Sequence, residues 1–475
     1  MTGPIAHPRR WALLALTSVG AFMAPLDGSI VAVALPRMGP ALHLSFATSM
    51  WVQAAYLLAM AVTLIPLGRL ADQWGKVRFY QAGLLIFTLG SLTAALSGNG
   101  LELVASRVLQ GIGGALLSAT SAAIVTSAFP PEERGRALGI NVMAVYAGLS
   151  VGPPLGGFLV DHFGWPWIFL VNLPIGLLTL AWGWRLLPAA GHEEARAGKI
   201  DRWGTLLMAI LLMALIVPLT FASQWTFHSW ATWGLLAVVP FALWAFTAAE
   251  RRAPYPLVDL ELITRNRLFA SANLAALLNY CALYAVSVLT AVQLQLVMGH
   301  PARVAGWVMM GQPVMQTVLS PFAGRLSDRV GSRLLATTGM ILVALGMSLL
   351  GLLDRSAGLT GVVMALAVVG LGMAAFSAPN TSAIMGSVQR SQLGVASAFL
   401  ATMRVTGQAL SVAFLGGIAA SRLGSGGWRQ LLHQGAAAGP AIQAFAWGYQ
   451  AAMFTGAGLA LLGAVASLQR GRTRA

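Results

Sequence analysis

The chain has 475 residues, of which 57% are hydrophobic and only 9% are charged. Soluble domains carry about 25% charged residues, so this composition excludes an ordinary soluble protein and predicts an all-α polytopic membrane protein. A net charge of +15 is also found in nucleic-acid-binding proteins, but here the basic residues form short clusters between apolar segments. We therefore expect a lipid bilayer, and no nucleic acid, around this chain.

Fourteen segments are apolar enough to span a bilayer, which takes about 20 residues. The first, from Trp11 to Pro36, is too long for the apolar part of a signal peptide, so we expect it to be retained. In chain order the predicted spans are 12–36, 50–68, 79–98, 102–129, 137–160, 167–187, 203–222, 230–249, 268–297, 303–323, 334–353, 359–386, 393–420 and 447–468.

The basic residues indicate an orientation. If both termini face the cytoplasm, 22 of the 29 Lys and Arg residues lie in cytoplasmic segments and 5 on the opposite side. Cytoplasmic loops of membrane proteins carry such an excess. The sequence thus predicts a multi-pass protein of the plasma (inner) membrane with both termini in the cytoplasm.

Two loops resemble each other. "GRLADQWGKVR" begins at Gly68 and "GRLSDRVGSR" at Gly324, and five residue types recur in register 256 positions apart. This repeat predicts six spans, two additional spans and six further spans. The predicted domains are a first six-helix bundle at 1–187, a linker with two additional helices at 188–250, and a second six-helix bundle at 251–475. Such repeats occur in secondary transporters, where the substrate site lies between the halves.

One acidic residue lies deep within the predicted spans. Asp27 is nine residues before Pro36, so it lies about 13 Å from that helix end, whereas the other acids occur in loops or near span ends. Arg107 in the fourth span lies at a similar depth. A charge in hydrocarbon needs a partner, so these two residues are expected to interact.

Several motifs resemble those of the major facilitator superfamily. "GRLADQWGKVR" is similar to its motif A, "LVASRVLQGIGGA" (Leu103–Ala115) to motif B, and "GLSVGPPLGG" (Gly148–Gly157) to motif C. "LDGSIVAVALP", "WPWIFLVNLPIG" and "DRWG" resemble the fourteen-span drug:proton antiporter group, called DHA2. The resemblance implies the fold of that superfamily and proton-coupled export of small amphipathic compounds. It also implies a monomer without enzymatic activity, metal or cofactor, which uses the proton gradient as its energy source.

The resemblance also assigns roles. Asp27 and Arg107 are the expected proton-coupling pair, although a static ion pair between two helices is the alternative. Motif A would form a cytoplasmic latch in which glycines permit a tight turn and Asp72 accepts hydrogen bonds from helix N–H groups or from Arg136. The residues assigned to this latch are Gly68, Asp72, Gly75, Arg78, Arg136 and Asp328. In motif C, close packing or antiport-specific sealing is expected at Gly148, Gly152, Pro153, Gly156 and Gly157.

Polar residues within the spans are candidates for substrate contacts, although each could equally bond two helices together. Arg404 lies in the thirteenth span, and the spans of the second half contain no acidic residue. Its partner could therefore be a backbone carbonyl, Gln408 or an anionic substrate group. The candidate residues are Tyr56, Gln110, Asn141, Asn279, Tyr280, Tyr284, Gln312, Gln316, Asn380, Arg404 and Gln408.

Two other functions remain open from the sequence. One is a proton-coupled or facilitative importer of a metabolite, and the other is a non-transporting membrane receptor or a partner in an efflux assembly. No phosphate-binding loop occurs, which argues against ATP-driven export. Because the buried charges are two arginines and one acid, we expect substrates that are neutral, anionic or singly cationic rather than dications.

Overall fold

The structure is a computed structural model that describes residues 9–186, 201–225, 230–253, 256–257, 260–353, 358–389, 392–434 and 439–469. All elements within these ranges are helical. They are α1 (Arg10–Ala41), α2 (Phe46–Trp74), α3 (Lys76–Ala95), α4 (Gly100–Ala128), α5 (Pro131–Phe163), α6 (Trp167–Leu170), α7 (Asn172–Leu186), α8 (Arg202–Trp225), α9 (Trp230–Arg252), α10 (Leu260–Arg265), α11 (Arg267–Val292) with a π-helical end (Gln293–Val297), α12 (Ala302–Met309), α13 (Gly311–Val330), α14 (Ser332–Leu352), α15 (Gly358–Gly386), α16 (Leu393–Ala420), α17 (Gly424–Gln434) and α18 (Gly439–Leu468).

Local capping residues fix several helix starts. The Ser45 side chain accepts a hydrogen bond from the Thr48 backbone N–H, and Asn99 does the same for Glu102. Glu102 in turn accepts from the backbone N–H of Gly98, which completes a reciprocal cap. These short polar sequences therefore separate α1 from α2 and α3 from α4.

The repeated loops have the same backbone geometry. Gly75 separates α2 from α3 with φ of +106°, and Gly331 separates α13 from α14 with φ of +87°. Only glycine adopts this region without strain. The predicted turn thus depends on Gly75, whereas the prediction for Gly68 was wrong. Gly68 lies inside α2, where it packs against Ala119 of α4.

Twelve helical stretches in the described ranges are long and apolar enough to cross a membrane, so the chain is a multi-pass membrane protein. The predicted spans 79–98 and 303–323 are not among the twelve. The first corresponds to α3, which begins with the charged residues Lys76 and Arg78, and the second is divided at Met310 into α12 and α13. The count of fourteen and the domain boundaries drawn from it stay predictions.

The helices form two groups, α1–α7 and α11–α18. Helix α8 lies between them and packs against both α2 and α16, while α9 packs against α8. We name the two ends of the bundle by residues on α1 and just beyond it. The Arg10 end also holds Glu133, with which Arg10 forms an ion pair of 3.0 Å. At the Leu44 end, helices α1 and α5 end and helix α4 begins.

The two groups are in close contact at the Leu44 end. A methyl group on Gly157 of α5 would overlap the backbone oxygen of Ala302 in α12. The backbone N–H of Arg303 donates to Asp161 Oδ2 at 2.9 Å. The segment between Arg422 and Ala446 looks featureless in sequence, yet it contains α17, whose buried Trp428 donates to the Leu44 carbonyl oxygen at 3.1 Å. The bundle is therefore closed at this end.

Candidate functional site

Glycines allow α4 to approach its neighbours closely. A methyl group on Gly111 would overlap the backbone oxygen of Tyr56 in α2. On the other side, a methyl group on Gly90 of α3 would come within 2.8 Å of the Gln110 backbone nitrogen. This close approach places polar side chains of α4 beside α1 and α3, where water has no access.

The Asp27 carboxylate lies at the centre of these helices and has no exposed surface. Its Oδ2 atom accepts a short hydrogen bond from Arg107 Nη1. Its Oδ1 atom accepts from Gln110 Nε2 at 2.9 Å and from Asn172 Nδ2 at 3.1 Å. The structure therefore brings Asp27 and Arg107 together and gives the carboxylate three side-chain donors.

Ser91 of α3 supports two of these donors. Its hydroxyl oxygen accepts from Gln110 Nε2 at 2.7 Å and from Asn172 Nδ2 at 3.3 Å, and it donates to the Phe87 carbonyl oxygen at 3.0 Å. Because the hydroxyl proton is directed to Phe87, the Ser91 oxygen is fixed as an acceptor. Ser91 thus orients the Gln110 and Asn172 amides so that their N–H groups point toward Asp27.

Arg107 is also completely buried. Its Nε donates to the Val52 carbonyl oxygen at 2.9 Å, and Nη1 donates to Gln110 Oε1 as well as to Asp27. The guanidinium carbon lies 4.4 Å from the centre of the Tyr56 ring. Its Nη2 has no hydrogen-bond partner within the described ranges. An unpaired buried donor costs about 1–3 kcal/mol, so this atom offers a place for an additional acceptor.

One residue of the second helix group reaches this cluster. The Tyr284 hydroxyl of α11 lies 3.1 Å from the position that a side-chain carbon on Gly28 would occupy, next to Asp27. It interacts electrostatically with both Asp27 and Arg107. The ion pair of the first group therefore faces the interface between the groups, where a relative movement of the two groups changes its surroundings.

Motif C packs α5 against two partners. Methyl groups on Gly148 and Gly156 would contact the Phe22 and Ile30 backbone of α1. A side chain on Gly152 would overlap the Ser29 hydroxyl. By contrast, Gly157 contacts α12 of the second group, and the Pro153 carbonyl oxygen lies where a side chain on Gly306 would point. Motif C thus contributes both to packing within the first group and to closure of the Leu44 end.

The motif A residues do not form the predicted latch in this structure. Asp72 is 65% exposed and pairs with Lys76 at 3.6 Å instead of Arg136. The Arg136 guanidinium carbon lies over the Trp11 ring at 5.6 Å. Arg78 follows the Gly75 turn in the first turn of α3, and the side chain of Asp328 in α13 lies outside the described parts of the chain. The latch is therefore open, in keeping with closure at the opposite end.

A second polar cluster lies between the two groups, near Arg404 of α16. The Tyr146 hydroxyl of α5 is 3.4 Å from the Ser377 hydroxyl of α15. Tyr280 of α11 hydrogen bonds with Ser377 and interacts electrostatically with Arg404. Arg404 is half-buried and forms no hydrogen bond or ion pair with the described residues, so of its predicted partners neither Gln408 nor a backbone carbonyl holds it.

The remaining substrate candidates lie on α5, α11, α13, α15 and α16. Asn141 donates to the Ser121 hydroxyl at 3.0 Å and so bonds α5 to α4. Asn279 is buried and donates to the Met373 sulfur at 3.1 Å. Gln312 and Gln316 lie on α13, Asn380 is buried on α15 and Gln408 is half-buried on α16. Tyr56 and Gln110, by contrast, belong to the Asp27 cluster.

Sequence reasoning missed two members of the Asp27 cluster. Ser91 sits among small residues of α3 and carries no signal beyond its hydroxyl. Asn172 lies within "WPWIFLVNLPIG", where an amide in an apolar segment could have been singled out. The sequence also did not indicate a cluster of charged residues at the Arg10 end, where Arg69 interacts electrostatically with Glu250 and Asp201. Within the described ranges no three His, Cys, Asp or Glu residues form a cluster that could hold a metal.

The family model of the Major Facilitator Superfamily matches residues 17–249 and 272–474. Among curated proteins, the riboflavin transporter RibZ of Clostridioides difficile is 32% identical over 87% of this chain and 89% of that protein. The multidrug resistance protein Stp of Mycobacterium tuberculosis is 34% identical, over 86% and 76%. The tetracenomycin C resistance and export protein of Streptomyces glaucescens is 32% identical, over 88% and 77%.

Solved structures show the same fold at low sequence identity. An inward-facing, occupied bacterial homologue of the human lysosomal transporter Spinster has a TM-score of 0.69 and 17% identity, covering 98% of this chain and 97% of that one. An auto-inhibited peptide transporter of the POT family has a TM-score of 0.70 and 16% identity, covering 98% of both chains. The chain therefore belongs to the Major Facilitator Superfamily, a family of membrane transporters and not of enzymes, and its relatives are consistent with the drug-transporting DHA2 group.

Proposed function

We propose that this transporter is a proton-coupled antiporter that exports small amphipathic compounds across the plasma membrane. The observation that carries the proposal is Asp27, a fully buried carboxylate that is stabilised in this state by three donors, one of which is its ion-pair partner Arg107. Relatives named for multidrug resistance and antibiotic export support the direction of transport. We further propose fourteen spans arranged as six, two and six.

The distribution of basic residues supports the cytoplasm as the location of the Arg10 end and of both termini. With this orientation, closure at the Leu44 end and the open motif A latch correspond to an inward-facing state. In that state Asp27 is bound by Arg107, Gln110 and Asn172. Its proton would thus have been released toward the cytoplasm.

The proposed cycle follows from competition between a proton and Arg107 for the Asp27 carboxylate. In the outward-facing state a proton reaches Asp27, neutralises it and removes its attraction to Arg107. Substrate is then released outside, and the two groups rock so that the Leu44 end closes. Loss of the proton to the cytoplasm restores the ion pair, and the transporter takes up new substrate. The gradient drives this cycle provided that proton and substrate bind the two states with different affinities.

Transport by Asp27→Asn tests the coupling role. Purified wild type and variant are reconstituted in liposomes with an imposed proton gradient, and tetracenomycin C and riboflavin serve as probes. We expect the variant to exchange probe across the membrane without accumulating it against a gradient, because asparagine keeps the size of the side chain but binds no proton. Accumulation equal to that of wild type would exclude Asp27 as the coupling site and favour the static ion pair.

A second candidate function is transport of riboflavin, because the riboflavin transporter RibZ is related over nearly the whole chain. The same liposomes distinguish the two candidates. Export requires accumulation of a probe on the acidic side, while protons move the other way. Accumulation of riboflavin in the direction of proton flow would identify an importer. No probe transport by the purified protein would favour the receptor alternative.

We expect the protein to work as a monomer without metal or cofactor, with protons, the substrate and the lipid bilayer as its partners. Substrate-dependent proton release, measured with one protein copy per nanodisc, tests whether a monomer is active. Activity that requires two copies per disc would contradict the monomer.

A further inference from the structure

Among the residues that the structure describes, no acidic side chain pairs with Arg404. It lies eleven residues after the first residue of α16, about 16 Å along the helix, and therefore well inside a membrane-spanning segment. The other interior arginine, Arg107, is neutralised by Asp27. Arg404 forms no ion pair or hydrogen bond with the residues that the structure describes. Cations within membrane spans are usually paired, so half-buried Arg404 is available to a ligand of opposite charge.

The surroundings of Arg404 are rich in hydroxyl groups. Gly407, one turn further along α16, allows Tyr280 to pack against the helix, with its Cβ 3.0 Å from where a Gly407 side chain would begin. Tyr280 hydrogen bonds with Ser377, and the Tyr146 hydroxyl lies 3.4 Å from Ser377. Hydroxyl groups donate hydrogen bonds readily to a carboxylate, which accepts without donating.

These residues come from both helix groups. Tyr146 belongs to α5 of the first group, whereas Tyr280, Ser377 and Arg404 belong to α11, α15 and α16 of the second. A ligand bound among them would contact both groups at once. The superfamily's transport cycle moves these groups relative to each other, so such a ligand would be held in one state and released in the other.

We propose that Arg404, with Tyr280, Tyr146 and Ser377, binds the anionic group of the substrate, and that the transported compounds include amphipathic organic acids. This inference deepens the proposed function and rests on it only for transport, since binding itself needs no proton coupling. The guanidinium would bind a carboxylate through two parallel N–H···O bonds, and the tyrosine hydroxyls would donate to its remaining lone pairs.

Binding of naphthylacetate and naphthylacetamide to the purified full-length protein tests the proposal. The two probes share ring and size and differ in charge. We expect wild type to prefer the acid, and we expect Arg404→Gln to bind the acid about 10- to 100-fold more weakly while its affinity for the amide is unchanged. Unchanged amide binding also shows that the variant is folded. Arg404→Lys should recover part of the preference, because it keeps the charge but loses the paired geometry.

Further variants locate the hydroxyl contacts and separate the two proposals. Tyr280→Phe should weaken acid binding by about 3- to 10-fold, the loss of one hydrogen bond, and Asn279→Leu next to it should not. Equal affinity of wild type for acid and amide, or an acid preference retained in Arg404→Gln, would overturn the anion site. Asp27→Asn should keep the preference for the acid, so failure of proton coupling and failure of the anion site give different results.

Discussion

Asp27 and Arg107 lie 80 residues apart in the sequence and form an ion pair in which neither side chain has any exposed surface. Removing two charges from water is costly, and the pair is stable only because further groups satisfy them. Gln110 bonds to both partners, and Asn172 bonds to Asp27. Loss of one of these donors would therefore weaken the hydrogen bonding of the Asp27 carboxylate.

Asn172→Leu should lower the rate of proton-driven transport by about 5-fold. Leucine removes one hydrogen bond to the Asp27 carboxylate, worth about 1 kcal/mol. Transport rates in liposomes under a fixed proton gradient measure the loss. Asn141→Leu is the control, because Asn141 is also a buried amide but bonds to Ser121. An equal loss in both variants would disconnect Asn172 from Asp27.

Gly157→Ala should weaken closure at the Leu44 end. The added methyl group overlaps the Ala302 backbone oxygen across the interface between the groups, and its nearest atoms all belong to Ala302 and Arg303. We expect the population to shift toward a state open at this end. Spin labels on Ala41→Cys and Arg429→Cys in a Cys281→Ala background would report a longer mean distance. Gly148→Ala crowds α1 and α5 within one group and should leave that distance unchanged.

Gly111→Ala should lower the free energy of unfolding by about 1–3 kcal/mol, the range for overpacking a filled interior. Its methyl group would overlap the Tyr56 backbone oxygen, and backbone cannot move aside as a side chain can. Thermal unfolding in detergent measures the effect. Gly139→Ala in α5 meets no atom within 4 Å and should be neutral or slightly stabilising. Similar losses in both variants would contradict the close packing of α4.

Asp72→Asn should leave the stability of the inward-facing state nearly unchanged while it slows transport. In this structure Asp72 is exposed and pairs with Lys76, an interaction worth about 0–1 kcal/mol. If the latch forms in the opposite state, the variant would lose that contact there. Melting temperature and transport rate, measured side by side, separate the effects. A large drop in melting temperature together with normal transport would show that Asp72 is structural.

The sequence predicted much of the candidate site because the decisive signals are local. An acid inside an apolar segment and an arginine at matching depth suffice to suggest the pair, and a repeated glycine suggests the turn at Gly75. The partner of Asp72 could not be read in the same way. Whether it pairs with Lys76 or Arg136 depends on how the helices pack at the Arg10 end, and no short stretch of sequence contains that information.

The sequence by itself determined that this chain is a helical membrane protein with one deeply placed acid, since hydropathy and charge act within a single span. Tertiary structure decided which groups surround that acid. Asn172 reaches Asp27 across 145 positions, and Ser91 orients it across 81, because glycines let α4 and α7 pack closely against α3. It also decided that no acidic residue of the described ranges pairs with Arg404, a property that belongs to the packed bundle and not to α16 alone.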